Sequence, residues 1–289
     1  MRSVRIIGSV LIKNEIAVQS INFNKYLPVG KPKILIDFLN DWGADEIIVL
    51  DIKGSINKNL FLKEKLKKIT CNCNTPISAG GGIKNINDVE VLIRGGADKV
   101  IINTFGILNP KLLNQAALEF GNQAIIGAID VKRKNNNYEV FIHSGTIKSK
   151  FSLDEIIKFY EDNQVGEIFI NSIDNDGKKN GFDKKLVKKI SSLTRLPIII
   201  SGGAGSFNHF EDILKENISG IASGNFLNFT EHSIKNLKYF LNLFKKFKEI
   251  RYEKNKIIKN FDFNYRYTKK DDKFLDELKY KEIIKNEIL

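Results

Sequence analysis

The chain has 289 residues, 42% of them hydrophobic, and a formal charge of +12, which suits one large α/β barrel or two ordinary domains. No apolar run approaches the length of a membrane span, and the N-terminus lacks the apolar core of a signal peptide, so a cytoplasmic protein without a membrane partner is expected. The lysines are interspersed with acidic residues rather than clustered with aromatics, which argues against nucleic acid and for a phosphorylated substrate or an acidic protein partner.

In chain order, short apolar runs alternate with helical patterns. The strand candidates are Arg5–Ile12, Glu46–Ile52, Pro76–Ala79, Lys99–Asn103, Ala124–Val131, Glu167–Ile170, Pro197–Ser201 and Gly220–Ser223. Helical patterns between them include Lys31–Trp42, Ile86–Arg94, Pro110–Phe120, Leu153–Asn163, Lys184–Ser192 and Phe207–Lys215. Eight strands with intervening helices predict a (β/α)₈ TIM barrel.

The two halves of this pattern align with each other. Ile6–Lys13 matches Ile125–Lys132, and Glu46-Ile47-Ile48 matches Glu167-Ile168-Phe169, always about 120 residues apart. A two-fold half-barrel repeat follows, with four βα units per half. Two independent domains are disfavoured, because half a barrel exposes an open sheet edge. Val131–Phe141 reads as a hairpin after the fifth strand, lying over the face where barrels bind ligands.

Beyond Phe247 the composition becomes densely charged, without glycine or proline. The expected division is a barrel over 1–247 and a C-terminal extension over 248–289. Within the extension, Phe261–Tyr267 alternates like a strand and Asp272–Lys285 has a helical pattern. Cys71 and Cys73 are too close for an ordinary disulfide and have no second pair to form a zinc site, so they read as idle thiols. No metal or cofactor is expected.

Two glycine-rich loops stand out, Gly80-Gly81-Gly82 and Ser201-Gly202-Gly203-Ala204-Gly205, each between an apolar run and a helix. Small residues let a loop backbone approach an anion, and the helix start behind them offers unpaired N–H groups; a tight turn that binds nothing fits either loop alone. Reading the C-terminal strand ends gives two candidate phosphate sites. Gly81, Gly82, Asn103 and Thr104 form one; Asp176, Gly177, Gly202, Gly203, Ser223 and Gly224, within the Ser223–Asn225 loop, form the other. They lie on opposite sides of one face, as a substrate with a phosphate at each end requires.

Asp130 ends a central strand among apolar neighbours that favour a raised pKa, and is the candidate for proton transfer; a loop-capping role is the plainer alternative. Asp51 fits a structural hydrogen-bonding role equally well. His143 follows the hairpin near the site, whereas His209 and His232 sit in helical context. At the opposite strand ends, Arg5, Glu46, Lys99 and Glu167 suggest a ring of salt bridges gating the barrel axis, or ordinary solvated strand ends.

These residues resemble the cyclase subunit of imidazole glycerol phosphate synthase, the HisF family, from about Arg5 to Phe244. The carrying motifs are GGGI at Gly80–Ile83, GADKVIINT at Gly96–Thr104, AID at Ala128–Asp130, NSIDNDGKKNGFD at Asn171–Asp183 and SGGAG at Ser201–Gly205. The resemblance implies a (β/α)₈ barrel that takes ammonia from a HisH-like glutaminase docked at the bottom face. Ammonia then passes to the top, where a bisphosphorylated ribonucleotide is split and cyclised. It also implies that Arg5, Glu46, Lys99 and Glu167 are the ammonia gate.

Three positions depart from the family pattern. Leu11 stands where the resemblance implies a second acid/base aspartate, Gln19 where it implies a lysine, and Asn171 where it implies a threonine. The internal repeat shows the first departure independently, since Leu11 aligns with Asp130. A leucine cannot transfer a proton. The pattern is similar to HisF-like proteins that supply ammonia to a separate sugar amidotransferase in surface-polysaccharide synthesis, and that is the leading expectation. Histidine biosynthesis is the alternative, and a non-catalytic scaffold that activates the glutaminase is a third.

Overall fold

A computed structural model describes residues 3–54, 61–135, 137–228, 230–243, 250, 261–262 and 265–266. The chain divides into two compact units, Met1–Tyr252 and Glu253–Leu289.

In the first unit, β1 (Arg5–Lys13) leads into a hairpin of β2 (Ile16–Ile21) and β3 (Lys25–Gly30), followed by α1 (Pro32–Asp41). Next come β4 (Glu46–Asp51), α2 (Phe61–Ile69), β5 (Ile77–Gly80), α3 (Ile86–Arg94), β6 (Lys99–Ile102), α4 (Thr104–Leu108) and α5 (Lys111–Phe120). The second half runs through β7 (Ile125–Lys134), β8 (Asn137–Ile142), β9 (Ile147–Lys148), α6 (Leu153–Asp162), β10 (Glu167–Ser172), α7 (Lys184–Leu193) and β11 (Ile198–Ser201). It ends in α8 (Phe207–Ile213), β12 (Gly220–Ser223), α9 (Asn225–Asn228) and α10 (Ser233–Leu243).

Eight of these strands close a parallel barrel in the order β1, β4, β5, β6, β7, β10, β11, β12 and back to β1. The expected strands appear with ends shifted by up to three residues. The barrel closes because its strands are buried on both faces. Ile7, Ile48, Ile101, Ile126, Ala128, Phe169, Ile199 and Ala222 fill the interior, while the alternate residues, such as Ile6 and Ile47, meet the helices.

Local chemistry sets the helix starts. Pro32 opens α1, the Asn85 side chain accepts the Asp88 N–H ahead of α3, and Ser152 with Glu155 forms a capping box on α6. Helix α6 then buries Leu153, Ile156, Ile157 and Tyr160, one apolar face at helical spacing.

The two-fold repeat extends to individual contacts. A Cβ on Gly8 would strike Leu39 of α1, and one on Gly127 would strike Tyr160 of α6, the equivalent helix. The Asp45 N–H donates to Ile6 O at 3.0 Å, and the Gly166 N–H donates to Ile125 O at 3.0 Å. Each half also raises a hairpin from its first strand. The second, formed by β7 and β8, is the expected one. The first, β1 with β2 and extended by β3, is not among the sequence expectations, although Asn14 and Glu15 (φ 52° and 66°) make a two-residue turn with Lys13 and Ile16 paired across it.

In the second unit, Asp262 and Arg266 close a short turn through two 2.9 Å hydrogen bonds. The alternating stretch expected at Phe261–Tyr267 is described only at 261–262 and 265–266, and the helical pattern at Asp272–Lys285 lies outside the described residues.

Candidate active site

At the C-terminal ends of the barrel strands lies one open cavity, with an empty volume of about 1200 Å³ that includes open solvent. Both expected phosphate groups line it. Gly81, Gly82, Asn103 and Thr104 are on one side; Asp176, Gly177, Gly202, Gly203, Ser223 and Gly224 are on the other. The loop glycines answer a packing demand of their own. A Cβ on Gly81 (φ +112°) would lie 2.2 Å from Asp51 O, and one on Gly203 (φ +107°) would lie 2.0 Å from Gly181 O. Each loop therefore nests against its neighbour at backbone distance.

Asp130 sits between the two groups. Asn103 Nδ2 donates to its Oδ2 at 2.6 Å, and Asn171 Nδ2 donates to its Oδ1 at 2.9 Å. Burial pushes its pKa up to about 6, against the two amide hydrogen bonds, with the nearby Asp176 charge adding to the rise. Thr104 Oγ1 accepts the His143 N–H at 2.9 Å, which ties the second-half hairpin to the rim.

Asp176 lines the cavity without an N–H to offer an anion. Its own N–H donates to Ile173 O, and its Oδ2 accepts from Ser20 Oγ at 2.6 Å and from the Phe23 N–H at 3.3 Å. It anchors the β2–β3 hairpin over the cavity, helped by Asn225 Nδ2, which donates to Ser20 O at 2.7 Å. Burial pushes Asp176 up to about 6, opposed by the Ser20 and Phe23 donors. Ser20, Phe23 and Tyr26 are thus cavity residues that the sequence pattern does not assign to the site, whereas Asn225 lies in the expected Ser223–Asn225 loop. The Ile16–Ile21 alternation was the available signal.

Opposite Asp130, Leu11 lines the cavity with Leu50 as its partner on β4. Gln19 pairs with Leu27 on the hairpin and is not a lining residue. Asp51 also lines the cavity and accepts the Lys53 N–H at 3.0 Å. Among the described residues lining the cavity there is no Lys, Arg or His, so backbone N–H groups and hydroxyls remain to hold an anion. His209 Nδ1 accepts the Gly205 N–H at 3.2 Å and shapes the SGGAG loop from behind. His232 packs at a tilt against Trp42.

The other end of the barrel carries a closed ring. Arg5 bridges Glu46 and Glu167, and Lys99 Nζ bridges the same two carboxylates at 3.1 and 3.2 Å. Ser78 Oγ donates to Glu46 at 2.5 Å and Ser219 Oγ to Glu167 at 2.6 Å. Burial alone would raise Glu167, but Arg5 and Lys99 outweigh it and hold the carboxyl below the usual range. These four residues are an integrated cluster, buried at the glutamates and partly open at the two cations.

The model of the histidine biosynthesis protein family matches residues 5–233, a span that includes all eight barrel strands. The imidazole glycerol phosphate synthase subunit HisF of Flavobacterium psychrophilum is 38% identical over 242 residues, covering 83% of this chain and 96% of that protein. The chain belongs to the HisF family. The subunit HisF of Sulfurisphaera tokodaii is 39% identical over 226 residues, covering 78% of this chain and 91% of its own length. That of Natranaerobius thermophilus is 36% identical over 242 residues, with 83% and 96% covered. In this HisF-family chain the relatives' similarity spans the cavity at one end of the barrel and the charged ring at the other. Among the described residues, no helix is long and apolar enough to cross a membrane.

Proposed function

We propose that this chain is the cyclase subunit of an imidazole glycerol phosphate synthase, with ammonia supplied by a HisH-like glutaminase seated at the ring end. The substrate is a bisphosphorylated ribonucleotide, and the products are imidazole glycerol phosphate and aminoimidazole carboxamide ribonucleotide. One observation carries this reading: two small-residue anion loops face each other across a single cavity, with a buried carboxylate between them. Each loop takes one phosphate, so the reacting carbons of the substrate are held beside Asp130.

Asp130 is the proton-transfer group. A pKa of about 6 leaves it ionised at neutral pH yet close enough to exchange protons readily. Ammonia enters as the neutral molecule past Lys99 and crosses the apolar interior of Ile7, Ile48, Ile101 and Phe169, where a charged ammonium ion is excluded by its desolvation cost.

A second reading is favoured by Leu11. With no carboxylate at that position, the barrel is short of one acid/base group, which suits a subunit that hands ammonia to a separate sugar amidotransferase of surface-polysaccharide synthesis. The deciding experiment supplies the bisphosphorylated ribonucleotide with ammonium salt and no glutaminase. Formation of imidazole glycerol phosphate supports the cyclase reading. Phosphate binding without turnover supports the second.

A further inference from the structure

Asp130 does not stand alone in the cavity. It belongs to a three-residue cluster, and that cluster occurs at only one of the two places related by the repeat. Asn171 is its direct partner across β7 and β10, and Asn103 follows the end of β6 on the other side. Under the two-fold repeat, the positions of Asp130, Asn171 and Asn103 become Leu11, Leu50 and Gly224. No polar side chain of the cluster has a polar counterpart. The two amides and the carboxylate therefore occur together and are absent together.

The geometry of the two amides is specific. Each donates to a different carboxylate oxygen, at 2.9 Å from Asn171 and 2.6 Å from Asn103. Asn103 Oδ1 is left buried without a hydrogen-bond partner among the described residues. Turning that amide over would set two acceptors against each other at the same short distance. The carboxylate thus dictates the amide's orientation even though an acceptor is left unsatisfied, and a protonated Asp130 would not require this.

We propose that Asn171 is a positioning residue, whose amide acts with that of Asn103 to clamp the Asp130 carboxylate from two sides and commit it to the ionised, proton-accepting form. This rests on the reading of Asp130 as the proton-transfer group. The amide carries no charge, so it orients the carboxylate without neutralising it. Burial raises the Asp130 pKa while both amides lower it, so each donor acts in favour of the ionised form.

The test is a carbon-13 titration of the Asp130 side-chain carboxyl by NMR in the full-length chain, with the resonance assigned from its loss in Asp130→Asn. In Asn171→Leu, which keeps the branched shape and removes the donor, the midpoint is expected to rise by about one unit, lowering the ionised fraction at pH 7 from roughly nine-tenths to roughly one-half. Asn103→Leu moves it in the same direction. If the leucine variant misfolds, Asn171→Ser, which stays polar but is too short to reach the carboxylate, replaces it with the same expectation. An unmoved midpoint overturns the proposal. Where ammonium-driven turnover is present, its acid limb shifts with the midpoint at unchanged KM. A wild-type chain without turnover defeats the cyclase reading, and the titration still decides the role of Asn171.

Discussion

Leu11 pairs with Leu50 across the first two strands of the barrel, and in the second half the same pair of positions is Asp130 with Asn171. At this pair of positions one side of the cavity is consequently apolar and the facing side polar. The backbone at the two places is the same parallel ladder, so the difference lies in the side chains alone. The barrel retains the frame of a two-sided site and carries the amide-bonded Asp130 carboxylate on one side.

Restoring the missing group is therefore a direct test. Leu11→Asp is expected to raise ammonium-driven cyclisation by about a hundredfold or more, the usual worth of one positioned acid or base. The comparison is the initial rate at saturating substrate against the unaltered chain. A wild-type rate already equal to that of an ordinary HisF, with no gain in the variant, sinks the idea that a catalytic group is lacking at this position.

The anion loops predict where phosphate sits. Inorganic phosphate soaked into crystals should appear near Gly82 with Thr104 and near Gly203 with Gly224. Gly203→Ala forces a Cβ toward Gly181 O at 2.0 Å in left-handed backbone, so the loop must shift. A loss of about 2 kcal/mol in stability is expected, together with weaker phosphate binding on that side only. Urea unfolding and phosphate titration measure the two effects separately.

At the other end of the barrel, Lys99→Ala leaves Glu46 and Glu167 with Arg5 as their shared cation. The expected cost is about 2 kcal/mol, because two hydrogen bonds to buried carboxylates are lost. With a HisH-like glutaminase present, the same variant should release free ammonia in excess of the product formed. Unchanged stoichiometry in both Lys99→Ala and Glu167→Ala reduces the ring to a structural role.

The buried acids fix the sign of the pH dependence. Asp130 and Asp176 titrate near 6 when folded and near 3.8 when free, so between those values the folded chain binds more protons and stability falls as pH rises. For Asp130 this amounts to about 3 kcal/mol at most. Glu167 runs the other way: its stabilisation is present above its unfolded value and is lost as pH falls through the lower folded one. Urea midpoints at several pH values should show Asp130→Asn flattening the decline between pH 4 and pH 6. Catalytic turnover should rise with pH through an inflection near 6.

The fold was legible because its signal is periodic. Runs such as Ile198–Ser201 and the helix patterns between them predict the barrel, and the match of Ile6–Lys13 with Ile125–Lys132 predicts its two halves. The β2–β3 hairpin escaped notice because its pattern is weak: β3 is mostly exposed, with Leu27 and Val29 open to solvent, so apolar alternation carries little information there. Asp176 was placed in the site for its position in a glycine-bearing loop. Its carboxylate turns to Ser20, a residue 156 positions away, and contacts of that range leave no trace in local spacing. Asn171 stood out only as a departure; its contact with Asp130 emerges from strand register.

The charged ring has a consequence for how the two halves depend on each other. Glu46 and Glu167 are equivalent under the repeat, whereas Arg5 and Lys99 both come from the first half, and the positions matching them in the second are Ala124 and Gly220. At the opposite end Asp130 and Asn171 come from the second half, and Asn103, which donates to Asp130 from the other side, comes from the first. A chimera built from two second halves would carry two copies of Asp130, each without Asn103, above a pair of buried glutamates with no counter-ion. One built from two first halves would have cations to spare below and neither Asp130 nor Asn171 above. The two repeats thus share one backbone plan, yet at each pole of the axis one supplies charged groups that the other lacks, so they are complements rather than interchangeable copies.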